Sequence, residues 1–140
     1  MKTKFTTHKK QLSALVCATL LGFPWGGANA ITAGVVGNNS EEGFTSLSEN
    51  ISGNIGIYAV GTKASAIAEN ITISSDMDAA LYAYDGGVIN VGGDSTKSVI
   101  ITSTSDGINA INHNGAAFVS VKASESVSIV SDTFALWAQN

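Results

Sequence analysis

The chain has 140 residues, about the length of one domain, and it contains no arginine. Beyond residue 30, three lysines face eleven acidic residues, so this part carries a formal charge of 3 − 11 = −8. A surface of that sign repels phosphate backbones, which argues against nucleic-acid binding. Because the single cysteine is Cys17, residues 31–140 can form neither a disulfide nor a cysteine-based zinc site.

Residues 1–30 contain the three parts of an export signal in their usual order. Four lysines lie within the first ten positions, an apolar run extends from Leu12 to Phe23, and Ala28-Asn29-Ala30 follows as a small-x-small site. We predict a signal peptide that is cleaved after Ala30, with Ala28 and Ala30 as the cleavage-site residues. The alternative is an uncleaved anchor, but the apolar run is shorter than the ~20 residues that a membrane-spanning helix needs.

Residues 31–54 are rich in glycine, asparagine, serine and glutamate, and their apolar residues are too scattered for a long strand. Turn-forming residues cluster at Gly37, Asn38 and Asn39. We predict a loosely packed N-terminal cap segment here, since the first coil of a solenoid otherwise exposes apolar core and strand edges.

Residues 55–140 repeat one pattern of short apolar segments. Ile73, Ile101 and Ile129 follow one another at a constant interval, since 101 − 73 = 28 and 129 − 101 = 28. An aliphatic-x-Ala unit also recurs four times, at Ile57-Tyr58-Ala59, Leu81-Tyr82-Ala83, Ile108-Asn109-Ala110 and Leu136-Trp137-Ala138. A period of this size is typical of solenoids and repeat arrays.

The apolar residues within each segment alternate with polar or aromatic ones, as in a strand that buries one face. Leu81 and Ala83 are therefore predicted to point inward, with Tyr82 and Tyr84 pointing outward. Between the strands lie glycine-rich clusters that we expect to provide positive φ angles at tight corners. These clusters are Asp85-Gly86-Gly87, Gly92-Gly93-Asp94, Asp106-Gly107 and Asn112-His113-Asn114-Gly115.

The sequence predicts an all-β fold, a right-handed parallel β-helix (solenoid) of about three short coils, preceded by the signal peptide. The predicted divisions are residues 1–30 for the signal peptide, 31–54 for the cap segment and 55–140 for the coils. In this fold Ile73, Ile101 and Ile129 stack on one another, because no single coil can bury its own apolar face. The rival is an antiparallel sandwich or meander, which also uses short alternating strands. A helical fold is disfavoured by the abundance of Ile, Val, Thr, Ser and Gly.

The export signal, the acidic body without cysteine or arginine, and phrases such as Asp85-Gly86-Gly87-Val88-Ile89-Asn90-Val91 resemble the passenger region of bacterial autotransporters. This is the type V secretion family with pertactin-like β-helices. The resemblance implies an adhesin-like or scaffold module, exported by its signal peptide to the cell surface, the outer membrane or the medium, or periplasmic if the chain is truncated.

The same resemblance implies a C-terminal outer-membrane β-barrel that translocates the passenger. Residues 31–140 have no counterpart to it, so we expect this translocator downstream. The final apolar segment from Phe134 to Gln139 has no polar cap after it. An uncovered apolar rung favours a further rung, and we therefore expect the chain to be the beginning of a longer protein, or a truncated product of one.

The residues offer little catalytic chemistry. Asp76, Asp78, Asp85 and Asp94 could supply calcium ligands, but the ordered calcium-roll phrase is absent and turn aspartates in solvent are the favoured interpretation. His113, the one histidine beyond residue 30, has the composition of a surface turn around it. We predict no enzymatic activity, no cofactor and no metal site. The alternatives are a fragment of a carbohydrate-active β-helix enzyme and a small stand-alone secreted β-sandwich that binds a partner.

The candidate binding residues are outward aromatic side chains of the aliphatic-x-Ala unit. If the coils stack in register, Tyr58, Tyr82, Asn109 and Trp137 align on one outer face, with Tyr84 beside them. Aromatic rings on an exposed sheet can stack on sugars or anchor a protein, although β surfaces also favour aromatics for cross-strand packing. The predicted partner is a host-surface protein or a glycan, with Tyr58, Tyr82, Tyr84 and Trp137 as contacts.

Overall fold

The computed structural model describes residues 33–139, so the predicted signal peptide and its cleavage residues Ala28 and Ala30 lie outside the described residues. The described part consists of β-strands joined by turns, and none of its segments is a helix long and apolar enough to cross a membrane. The thirteen strands are β1 (Ala33–Val36), β2 (Phe44–Ser46), β3 (Asn50–Gly53), β4 (Ile55–Val60), β5 (Lys63–Ala66), β6 (Asn70–Ser75), β7 (Leu81–Tyr84), β8 (Val88–Gly92), β9 (Ser98–Ser103), β10 (Ile108–Ile111), β11 (Phe118–Lys122), β12 (Ser126–Ser131) and β13 (Leu136–Gln139).

The strands form three sheets, and every third strand belongs to the same sheet. Sheet A has the order β1-β4-β7-β10-β13, sheet B the order β2-β5-β8-β11, and sheet C the order β3-β6-β9-β12. All ladders between these strands are parallel, and the described residues add one isolated antiparallel bridge between Asn38 and Lys63. The predicted parallel β-helix is confirmed. The antiparallel sandwich is wrong, because consecutive strands lie in different sheets and never pair with each other.

The register of sheet C confirms the predicted isoleucine ladder. Ile73 pairs with Ile101, and Ile101 pairs with Ile129. Ile51 of β3 extends the same ladder, since it pairs with Ile73. Ile73 and Ile101 are fully buried, and Ile129 packs against this core. Burying one such side chain stabilises the fold by about 1.5–3 kcal/mol.

Sheet A supplies the second wall of the core through the aliphatic-x-Ala units. Leu81 and Ala83 of β7 are fully buried, whereas Tyr82 and Tyr84 point outward, as predicted. The partner of Leu81 on β4 is Ile57, which is also fully buried. Because side chains alternate across a strand, the same pairing that aligns the core residues also aligns the outward ones.

The cap segment contains the first three strands, which have three or four residues each. They pair in parallel with β4, β5 and β6. Val35 and Ile51 bring two apolar side chains from this segment into the core.

The corners use glycine for two different reasons. Asp85 and Gly86 have φ angles of 46° and 83°, so this corner has the predicted left-handed conformation, as does Gly92 at 79°. The corners at Asp106-Gly107 and Asn112–Gly115 do not, since positive φ in the described residues is confined to other positions. At Gly107 the requirement is space: a Cβ would lie 2.7 Å from the carbonyl oxygen of Ala135 on the next coil.

Candidate functional site

The outer face of sheet A carries the aromatic side chains that the sequence selects. Tyr58 pairs with Tyr82, Tyr82 with Asn109, and Asn109 with Trp137, which confirms the predicted alignment. Tyr84 lies two positions beyond Tyr82 on the same strand and therefore on the same face. We call Tyr58, Tyr82 and Tyr84 the tyrosine cluster.

The tyrosine cluster is held together by ring stacking. The ring centroids of Tyr58 and Tyr82 are 5.6 Å apart with planes inclined by 23°, and those of Tyr82 and Tyr84 are 6.2 Å apart with planes inclined by 21°. Aromatic pairs prefer centroid separations of about 4.5–7 Å in offset or tilted geometries. His113 continues the group, because its ring lies 5.3 Å from that of Tyr84 at 45°. All three tyrosines remain half-buried, so part of each residue is exposed to solvent.

The tyrosine rings lie near negatively charged side chains. Burial raises the pKa of the Tyr58 and Tyr82 phenols above the ordinary value, and the negative charge of Asp78 raises both further. Asp85 also contributes to the raised pKa of Tyr82. The raised pKa keeps both phenols neutral at physiological pH.

Asp85, which directly follows Tyr84, forms hydrogen bonds with the turn of the next coil. Its Oδ1 accepts the backbone N–H groups of His113 and Asn114, each at 3.0 Å. Partial burial alone raises the pKa of the Asp85 carboxyl, but these donors and the Asn114 side chain lower it by more, so that it stays below its ordinary value. These hydrogen bonds favour the ionised form of Asp85, which directly follows β7 in the corner that faces the His113 turn.

Asn109 interrupts the aromatic row. Although it lies in register between Tyr82 and Trp137, its side chain is only 5% exposed and its Nδ2 donates to Asp106 Oδ2 at 3.1 Å. Asp106 Oδ1 accepts the hydroxyl of Thr133 and, at 3.3 Å, the backbone N–H of Phe134. The expectation that Asn109 shares the outer surface is wrong, since the buried Asp106 carboxylate draws its amide out of solvent.

Trp137 belongs to a separate aromatic pair. It is 42% exposed and packs edge-on against Phe134, with ring centroids 5.2 Å apart and planes at 82°. Because Asn109 lies between Tyr82 and Trp137 in the register, the structure brings Tyr58, Tyr82 and Tyr84 together and leaves Trp137 outside their cluster.

The acidic residues considered as calcium ligands have different partners. Asp94 accepts from Lys122 Nζ at 2.5 Å, Asp78 Oδ1 accepts the N–H of Ala79 at 2.8 Å, and Asp85 binds the turn at 113–114. Within residues 33–139, no group of three or more His, Cys, Asp or Glu residues is placed to hold a metal ion.

A shallow groove lies at the C-terminal ends of β3 and β6 in sheet C. Its lining residues are Ser52, Gly53, Ser74, Ser75 and Asp76, which include one carboxylate and no histidine or lysine. These groups lack both a general base paired with a nucleophile and a second carboxylate for glycoside chemistry.

Sequence reasoning missed His113, Asp78 and Asn114 as neighbours of the tyrosines. The available signal is the repeat itself: Asp85 and His113 are 28 residues apart, which places them on adjacent coils. Comparisons of the chain with protein-family models, with curated proteins and with solved structures found no match.

Proposed function

We propose that this chain is an exported, noncatalytic β-helix segment of autotransporter-passenger type, which binds a partner through the tyrosine cluster. The observation that carries the proposal is the ring stacking of Tyr58 on its register partner Tyr82, and of Tyr82 on Tyr84 of the same strand, on the outer face of sheet A. Half-exposed aromatic side chains are the kind of anchor that dominates recognition surfaces. The partner is a protein or a glycan of a host surface.

The parallel β-helix supports the passenger assignment, since it is the architecture that the resemblance implies. The predicted location follows from the export signal in residues 1–30: the cell surface, the outer membrane or the medium, or the periplasm if the chain is truncated. On this proposal the residues of sheet A bind and those of the core stack the coils, and no residue has a catalytic role.

The binding role is tested with the full chain, expressed with its leader in a Gram-negative host and applied to arrays of glycans and of cell-surface proteins. The Tyr58→Ser/Tyr82→Ser variant should lose at least about tenfold in affinity, because hot-spot aromatics each contribute about 2 kcal/mol or more. Phe118→Ser, which alters an exposed aromatic of sheet B, is the control and should bind as before. Equal binding by all three proteins would reject the tyrosine cluster as the site.

A further inference from the structure

We propose that the tyrosine cluster binds arginine and lysine side chains of a basic protein segment. This inference rests on the proposed function, because it names the class of partner for the same face of sheet A. It follows from the combination of stacked phenol rings, flanking carboxylates and the pairing of every described lysine with another group.

The rings provide the first element of a cation site. A guanidinium or ammonium group within about 6 Å of a tyrosine ring centroid is attracted by the ring quadrupole, and a planar guanidinium also stacks. Tyr58, Tyr82 and Tyr84 place three such rings within 5.6–6.2 Å of their neighbours, with planes inclined by only 21–23°. All three tyrosines are half-buried, so part of each residue stays accessible to a ligand.

Two carboxylates provide the second element. Asp78 lies before β7 and Asp85 directly after it, so that negative charge borders the tyrosines at both ends of the strand. Burial is the largest cause of the raised pKa of Tyr58 and Tyr82, and the negative charge of Asp78 is the next. Asp78 Oδ1 accepts one N–H, that of Ala79.

The lysines of the described residues have partners away from the tyrosine cluster. Lys63 Nζ donates to the carbonyl oxygen of Glu41 at 2.8 Å, Lys97 pairs with Glu69, and Lys122 pairs with Asp94. Residues 33–139 carry all eleven acidic residues but only these three lysines, a formal charge of 3 − 11 = −8. A field of this sign steers a cationic partner toward the surface and repels an anionic one.

A neutral glycan is the rival occupant, because sugar rings also stack on aromatic side chains. A neutral sugar carries no net charge and can gain only hydrogen bonds from Asp78 and Asp85, whereas a guanidinium also gains charge–charge attraction. The two occupants therefore differ in their dependence on charge, and an isosteric neutral ligand separates them.

The test measures binding of the full chain to two labelled peptides. The first is acetyl-Gly-Arg-Gly-Arg-Gly-Arg-Gly-amide, and the second has citrulline, which is planar and uncharged, in place of each arginine. We expect the arginine peptide to bind at least about tenfold more tightly. Tyr82→Leu should weaken its binding by about 2- to 30-fold, and Tyr82→Phe should retain it within about twofold, since the ring is kept.

Asp78→Asn should lower the affinity for the arginine peptide by about threefold and reduce the salt dependence of that binding. Glu49→Gln, directly before β3 of sheet C, is the matched control for a lost exposed charge, and Phe118→Leu is the matched control for a lost exposed ring on sheet B. Both should bind as the unchanged chain does. Far-UV circular dichroism of each variant establishes that the strands are retained.

Equal affinity for the arginine and citrulline peptides would overturn the inference. So would binding of a neutral glycan that is lost in Tyr82→Leu while neither peptide binds, an outcome that leaves the proposed function in place. Arginine-peptide binding that survives replacement of all three tyrosines would overturn both, because the partner would then lie on another surface.

Discussion

At the scale of single residues, Asp106 is a buried carboxylate with three hydrogen-bond donors. It is 9% exposed and accepts hydrogen bonds from the Thr133 hydroxyl, the Asn109 amide and the Phe134 backbone. Burial alone raises the pKa of its carboxyl, but the three donors together lower it below the ordinary value. The Oδ1 atom of Asn109 is buried, and no described residue donates a hydrogen bond to it.

The first prediction concerns Asp106→Asn. A lowered folded-state pKa gives stability that is present above the ordinary value of about 3.9 and is lost as the pH falls through the lower value. We expect the variant to have a free energy of unfolding about 1–3 kcal/mol below that of the unchanged chain at pH 7. This gap should narrow between about pH 4 and pH 2, as measured by urea denaturation at each pH.

The matched control for Asp106→Asn is Asp132→Asn, which alters an exposed carboxylate before β13. Asp132→Asn should change the free energy of unfolding by no more than about 0.5 kcal/mol. A gap for Asp106→Asn that is the same at pH 7 and pH 3 would show that the ionised form of Asp106 is not what stabilises this corner.

At the scale of elements, the alternation of side chains along a strand places neighbouring residues on opposite faces of the sheet, one toward the core and one toward solvent. In β9 the side chain of Ile101 is fully buried, while the adjacent Ile100 is 43% exposed. Ile100 and Ile101 are the same residue type and lie on the same strand. The face of the sheet to which each side chain points therefore decides whether it joins the core. In β7 the same alternation separates the buried Leu81 and Ala83 from the outward Tyr82 and Tyr84.

The second prediction compares Ile101→Ala with Ile100→Ala. Ile101→Ala should lower the free energy of unfolding by about 2–5 kcal/mol, since it removes core contacts and leaves a cavity in the isoleucine ladder. Ile100→Ala should lower it by at most about 1 kcal/mol, the range of strand propensity. Denaturant unfolding of both variants gives the comparison, and equal losses would contradict the described alternation.

At the scale of the whole molecule, the fold is a stack in which each coil contacts its neighbours. Sheet A, sheet B and sheet C all advance by one strand per coil, and Ser75, for example, pairs with Ser103 at the equivalent position of the next coil. The stability of such a stack is approximately a sum of coil terms and coil-to-coil terms. Whole coils should therefore be removable, while fractions of a coil should not.

The third prediction concerns deletion of residues 76–103, one whole coil that contains β7, β8 and β9. The deletion joins Ser75 to Thr104 and lets β4, β5 and β6 pair with β10, β11 and β12 in the original register. We expect retained strand signal in circular dichroism and a lower melting temperature, because one coil interface is lost. Deletion of residues 76–89, half a coil, should abolish the strand signal; equal behaviour of the two deletions would contradict the modular stack.

The sequence by itself determined the architecture. A constant period with strand-like alternation sets which residues face inward and which residues stack, because inward Ile and Leu side chains are buried only when equivalent strands lie side by side. The isoleucine ladder and the alignment of Tyr58 with Tyr82 follow from that arithmetic, and the structure has both. The corners were less predictable, because a glycine can be needed for its φ angle or for space, and only the neighbouring coil distinguishes the two.

Only the tertiary structure decided how the outward side chains group. Asn109 is withdrawn from the surface by Asp106, which is three residues away in the chain but is fixed by Thr133 and Phe134 on the next coil. Trp137 is consequently separated from the tyrosines. A repeat fixes backbone register, whereas the direction of a polar side chain depends on hydrogen bonds that join different coils, and no pattern within one repeat contains them.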